Sequence, residues 1–189
     1  TSDVRAIFAA LRPRQVELLR AIADSEQIDN SFIKQHYPFD EQRKLGTFIA
    51  GRFGYDWERG RLDLAAHPFT TSFGAGDVRI TTRFLDRDGM SALFSTMHET
   101  GHALYDQGLS PKYYETSLGQ PASYAIHESQ SRLWENLVGR SREFSRFLFP
   151  VMQMLFPQHL GNVTLDQFYR GINRVEPSLI RVEADEATY

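Results

Sequence analysis

The pentapeptide His98-Glu99-Thr100-Gly101-His102 constrains this chain more than any other feature. On an α-helix, two residues four apart lie roughly 40° apart around the axis and about 6 Å along it, so both imidazoles can reach one cation. Glu99 adjoins the first imidazole, where its carboxylate can take a proton from a hydrolytic water and later pass it to a leaving amine. With 6 His and 12 Glu in 189 residues, such a pentapeptide arises by chance in roughly one chain in a hundred. The competing reading is a solvated helix face, or a pair of histidines at the edge of the core.

The surrounding pattern supplies the helix that this geometry needs. A helical period resumes after Asp88-Gly89 and predicts a helix from about Ser91 to Gln107, stopped by Gly108. A second helix is expected from about Pro121 to Val138, stopped by Gly139. Further helices are expected after Pro13, around Ser31 to His36, and from Asp40 to Phe53 with Gly54 at its left-handed end. The tail predicts helices around Phe144 to Phe156 and from Thr164 to about Arg174, with a last turn after Pro177. Between Asp77 and Phe84 the period changes to two. Val78, Ile80, Thr82 and Phe84 point one way and Asp77, Arg79, Thr81 and Arg83 the other, the pattern of a half-buried strand. Gly74 and Gly76 form its turn, with Thr70 to Phe73 as the pairing strand.

The chain has no cysteine, so any metal must be held by His and carboxylate. A catalytic zinc needs three protein ligands and an open position. Glu128, 26 residues after His102 on the following helix, is the candidate third ligand, because that spacing allows a helix, a loop and an antiparallel return. Glu135, two turns further on, is its competitor, or else belongs outside the ligand set or to a salt bridge. Gly101 inside a helix costs about 1 kcal/mol relative to Ala, which points to a close approach by another segment beside the metal or to a tight helix crossing. Asp106, four residues after His102, can orient a ligand His from behind or be a helix-end acid.

A net charge of −3, with 18 Arg against 3 Lys, gives no electrostatic footprint for nucleic acid or an anionic membrane. The longest apolar run, Phe147 to Phe156, is broken by Pro150 and Gln153 and is too short to span a bilayer. No secretory pattern opens the chain, and a reducing, cytoplasmic setting is expected. Both ends read as cut, so residues 1–189 are expected to be one catalytic segment of a longer protein.

Five elements carry a resemblance: His67-Pro68-Phe69, Asp77-Val78-Arg79-Ile80-Thr81, the His98 to His102 pentapeptide, His127-Glu128-Ser129-Gln130, and Ile180-Arg181-Val182-Glu183-Ala184-Asp185. In this order they resemble the successive motifs of the carboxypeptidase Taq family of metallocarboxypeptidases. That resemblance implies a mainly α, zincin-like groove fold with a small antiparallel sheet beside the metal-binding helices. It implies a divalent metal, usually zinc and in some members cobalt, held by His98, His102 and Glu128, with Glu99 as general base and acid. It implies removal of single residues from peptide C-termini with broad specificity by a homodimer longer than this chain.

For substrate binding, the polar face of the Asp77 to Phe84 strand is expected to flank the groove, with Arg79 and Thr81 facing an extended peptide. Arg181 and Arg79 are the candidate clamps for a free C-terminal carboxylate, which a guanidinium can hold through two parallel hydrogen bonds. His127 is the candidate donor to the oxyanion, and His67 is expected at the groove rim. Two rival readings stand beside the carboxypeptidase: a zinc endopeptidase or oligopeptidase of the same groove type, and an inactive binding or structural fragment with an empty metal site.

Overall fold

The computed structural model describes residues 2–176. Seven α-helices dominate them: α1 (Ser2–Ala23), α2 (Phe39–Phe53), α3 (Ser91–Gln107), α4 (Tyr124–Arg132), α5 (Arg142–Leu155), α6 (Pro157–Leu160) and α7 (Leu165–Ile172). A small sheet of β1 (Leu62–Leu64), β2 (Thr70–Ser72) and β3 (Val78–Thr82) lies between α2 and α3 in the chain. No helix among the described residues is long and apolar enough to cross a membrane.

Helix α3 is the axis of the molecule. Its N-terminal half places Leu93 and Met97 in the main core with Leu45 and Ile49 of α2 and Leu148 and Met152 of α5. Further along, Ala103 packs into a smaller core with Val78 and Ile80 of β3 and with Tyr55. The Tyr55 hydroxyl donates to the Val78 carbonyl at 2.6 Å, and burial pushes its pKa up to about 12, so it remains a donor. A helix buried on several sides gives its few polar residues fixed surroundings, and those residues build the site described below.

The expected boundaries of α3 match the structure, and Gly54 ends α2 in the left-handed region at φ 104°. Thr164 caps α7 through a reciprocal pair with Gln167, and Ser141 caps α5. Other elements differ. Helix α1 begins at Ser2 and runs through Pro13 instead of starting after it, and the segment at Ser31 closes as a 3-10 turn, Ser31–Lys34. The helix expected from Pro121 to Val138 starts at Tyr124, capped by the Ser123 hydroxyl, and passes after Arg132 into a π-helical stretch, Leu133–Val138.

The sheet is mixed, where the resemblance implies an antiparallel one. Strands β2 and β3 pair antiparallel across the Gly74 turn, as expected, but β1 pairs with β3 in parallel. The chain reverses twice between β1 and β3, once near His67-Pro68 and once at Gly74, so the third strand runs with the first. The order β1-β3-β2 makes β3 the central strand and β2 an edge. The Asp77 to Phe84 strand therefore cannot offer a free edge to a peptide. Along β3, Val78, Ile80 and Thr82 are buried and Arg79 is exposed, as the alternation requires, but Thr81 is buried where the alternation places it on the outer face.

Candidate metal centre

His98 and His102 lie one turn apart on α3, and Glu128 comes from α4. Their ligand atoms lie within 4.8 Å of one another, and they form the group among the described residues able to hold a metal ion. His98 Nε2 and His102 Nε2 are 3.2 Å apart, and Glu128 Oε2 lies 3.7 Å from the first and 3.3 Å from the second. The other carboxylate oxygen, Oε1, accepts from Arg132 Nε at 3.0 Å, which turns Oε2 toward the imidazoles.

Gly101 allows this convergence. A Cβ at that position would lie 2.6 Å from the Gln130 carbonyl oxygen and 2.6 Å from Ser131 Cα. The two readings of the glycine coincide, because the tight helix crossing is the approach that carries Glu128 to the histidines.

Each imidazole is held from behind. A carboxylate can only accept, so His98 Nδ1 donates to Glu135 Oε2 at 2.8 Å, which turns Nε2 toward His102 and Glu128. Glu135 thus lies on the far side of the His98 ring from Glu128, and Arg132 bonds it as well, at 2.9 Å. Burial opposes a charge on His98. The hydrogen bond to Glu135 and the charges of Glu135, Glu99 and Glu128 outweigh that effect, so its pKa lies above the ordinary imidazole value. Glu128 is drawn down to about 2 by its hydrogen bond with His102, against partial burial and with help from His98 and Arg132. Two nitrogen donors and one ionised carboxylate in surroundings that favour positive charge fit a divalent cation such as zinc or cobalt.

Glu99 follows His98 on α3 and is buried at 6% exposure. Thr70 of β2 places its hydroxyl 2.7 Å from Glu99 Oε2 and 3.0 Å from the Glu99 carbonyl oxygen. Nothing in the sequence singles out Thr70, because its partner is 29 residues away and depends on the sheet lying against α3.

The remaining candidates separate. His127 Nδ1 lies 2.9 Å from His102 Nδ1 and its Nε2 lies 3.1 Å from Asp106 Oδ1, so both ring nitrogens are engaged. The His127 ring thus lies behind His102, between it and Asp106. The Thr81 hydroxyl is taken up by the backbone of Phe69, accepting from its N–H at 2.8 Å and donating to its carbonyl at 3.1 Å. These bonds tie Thr81 to the backbone that leads into β2. Arg79 is exposed but forms two parallel hydrogen bonds with Asp77, at 2.8 and 2.7 Å. His67 sits exposed in the bend between β1 and β2. Arg181 and the motif around it lie outside the described residues.

A family model described as carboxypeptidase Taq (M32) metallopeptidase matches residues 1–189. The chain is 47% identical over 188 residues to Thermostable carboxypeptidase 1 of Thermus thermophilus, covering 99% of this chain and 37% of that protein. It is 41% identical over 184 residues to Carboxypeptidase 1 of Bacillus subtilis, covering 97% of this chain and 37% of that protein. The crystal structure of an M32 carboxypeptidase from Deinococcus radiodurans matches with a TM-score of 0.95 at 45% identity, covering 100% of this chain and 38% of that one. The chain thus spans less than two fifths of the length of these relatives.

Proposed function

The chain belongs to the carboxypeptidase Taq (M32) metallopeptidase family, and on that premise we propose that it carries the catalytic metal site of an enzyme that hydrolyses the C-terminal peptide bond of peptides. The observation that carries this reading is the approach of His98, His102 and Glu128 within 4.8 Å beside a buried Glu99.

His98 Nε2, His102 Nε2 and the Glu128 carboxylate would hold the cation. When bound, a divalent cation supplies Lewis acidity, which polarises a peptide carbonyl and makes water nucleophilic at neutral pH. Glu99 takes the proton from the attacking water and delivers it to the departing amine nitrogen. Thr70 holds the Glu99 carboxylate in place for both transfers. Strand β2 pairs on one side with β3 and, among the described residues, has no strand on the other, so an extended peptide can lie along that edge through main-chain hydrogen bonds. The terminal carboxylate would be clamped by Arg181, or by Arg79 after release from Asp77, with His67 at the rim. Zinc or cobalt as the cation, broad specificity and a homodimer rest on the family resemblance, and a cytoplasmic location rests on the sequence, which holds no cysteine.

The test compares free and amidated peptides with the metal-loaded protein. Stepwise release of C-terminal residues from free peptides, sharply reduced by amidation, is the expected result. Glu99→Gln should lower kcat by about 10²- to 10⁴-fold while cation content is kept. Equal cleavage of amidated peptides would indicate an endopeptidase. A metal-loaded protein that cleaves neither substrate would contradict the proposal.

A further inference from the structure

We infer that Asp106 and His127 form a positioning chain that fixes the tautomer of His102 and turns its Nε2 toward the cation site. The inference deepens the proposed function and rests on its metal ligands. Asp106 is one helical turn beyond His102 on α3, at 4% exposure, and His127 reaches the same place from the first turn of α4.

The hydrogen-bond roles follow in order. The Asp106 carboxylate can only accept, so at 3.1 Å it takes the N–H of His127 Nε2. A neutral His127 then has a bare Nδ1, which at 2.9 Å accepts from His102 Nδ1–H. With a cation in place of the proton that His102 Nε2 shares with Glu128 Oε2 at 3.3 Å, a neutral His102 would keep its proton on Nδ1 and present its Nε2 lone pair to the site. Tyr105 closes on His127 edge to face, with ring centroids 4.9 Å apart, and holds the plane of the intermediate ring. His98 reaches the same orientation through one residue, Glu135. The two ligand histidines are thus supported differently: one by a carboxylate directly, the other by a carboxylate through a second imidazole. His102 points toward the gap between α3 and α4, and its link to Asp106 on its own helix runs through the imidazole that α4 supplies.

The readout is independent of catalysis. Long-range proton–nitrogen correlation spectra of the isotope-labelled chain, recorded without and with Zn2+, give the tautomer of each ring. The expected result is His127 protonated on Nε2 in both, with His102 protonated on Nδ1 once Zn2+ displaces the proton shared with Glu128. His127 protonated on Nδ1 in either spectrum overturns the inference with no variant required. Asp106→Leu should scramble the His127 tautomer, leave His98 protonated on Nδ1, and weaken Zn2+ affinity by about 10- to 100-fold in chelator competition. A folded Asp106→Leu chain with an unchanged His127 tautomer also overturns it. His127 protonated on Nε2 in a wild-type chain that takes up no Zn2+ would contradict the proposed function and uphold the positioning chain.

Discussion

Gly101 and Ser131 pack backbone against backbone: a Cβ on Gly101 would sit 2.6 Å from Ser131 Cα. The obstruction is main chain, which no rotamer change can move, and it lies three residues beyond Glu128 on the same helix.

Gly101→Ala is therefore expected to reverse the usual sign of a helical glycine replacement. In an open helix it would stabilise by about 1 kcal/mol. Here overpacking should destabilise by roughly 1–3 kcal/mol and push α4 away from the histidines. Urea unfolding and Zn2+ titration check both effects, and a more stable variant with full affinity would contradict this account of the crossing.

Glu128 and Glu135 should respond differently to removal. Glu128 is half-exposed but bonded to His102 and Arg132, so Glu128→Ala should lower the metal-free stability by roughly 1 kcal/mol and abolish tight cation uptake. Glu135→Gln keeps a weaker acceptor behind His98 and should lower affinity by about 10- to 100-fold. Chelator competition on the two variants reads the difference.

Thr70→Val should affect turnover without affecting the cation. It removes the 2.7 Å hydrogen bond to Glu99. A hydrogen bond to a charged group contributes about 1.5 kcal/mol, which corresponds to roughly a tenfold fall in kcat. KM and metal content should stay at the parental values, and steady-state kinetics with metal analysis tests the split.

A chelator should lower the melting temperature of the loaded chain. Free cation at about a thousand times Kd stabilises the folded state by roughly 4 kcal/mol, or roughly 8 to 16 °C for a domain of this size. Calorimetry with and without chelator gives the shift, and the metal-free Glu128→Ala chain should show none.

Much of this centre was legible in the sequence because it depends on local spacing. The His98 to His102 separation fixes two imidazoles on one helix face, and the span to Glu128 matches a helix, a loop and a return. Helix α3 could be bounded because Asp88-Gly89 and Gly108 punctuate it. Features set by tertiary approach were not legible. The parallel pairing of β1 depends on two chain reversals, and the contact of Thr70 with Glu99 depends on where the sheet docks. The π-helical stretch after Arg132 changes the register of Glu135, which simple helical spacing places about two turns from Glu128. Alternation correctly buries Val78 and Ile80 but assigns Thr81 to the exposed face, because the Phe69 segment that covers it comes from outside the strand.

The most direct measurement is anomalous diffraction at the zinc absorption edge from crystals of the zinc-loaded chain. The account predicts one strong peak about 2.0–2.2 Å from His98 Nε2, His102 Nε2 and a Glu128 carboxylate oxygen. A peak bound through Nδ1 of either histidine, or one with Glu128 turned away and Glu135 in its place, would contradict it.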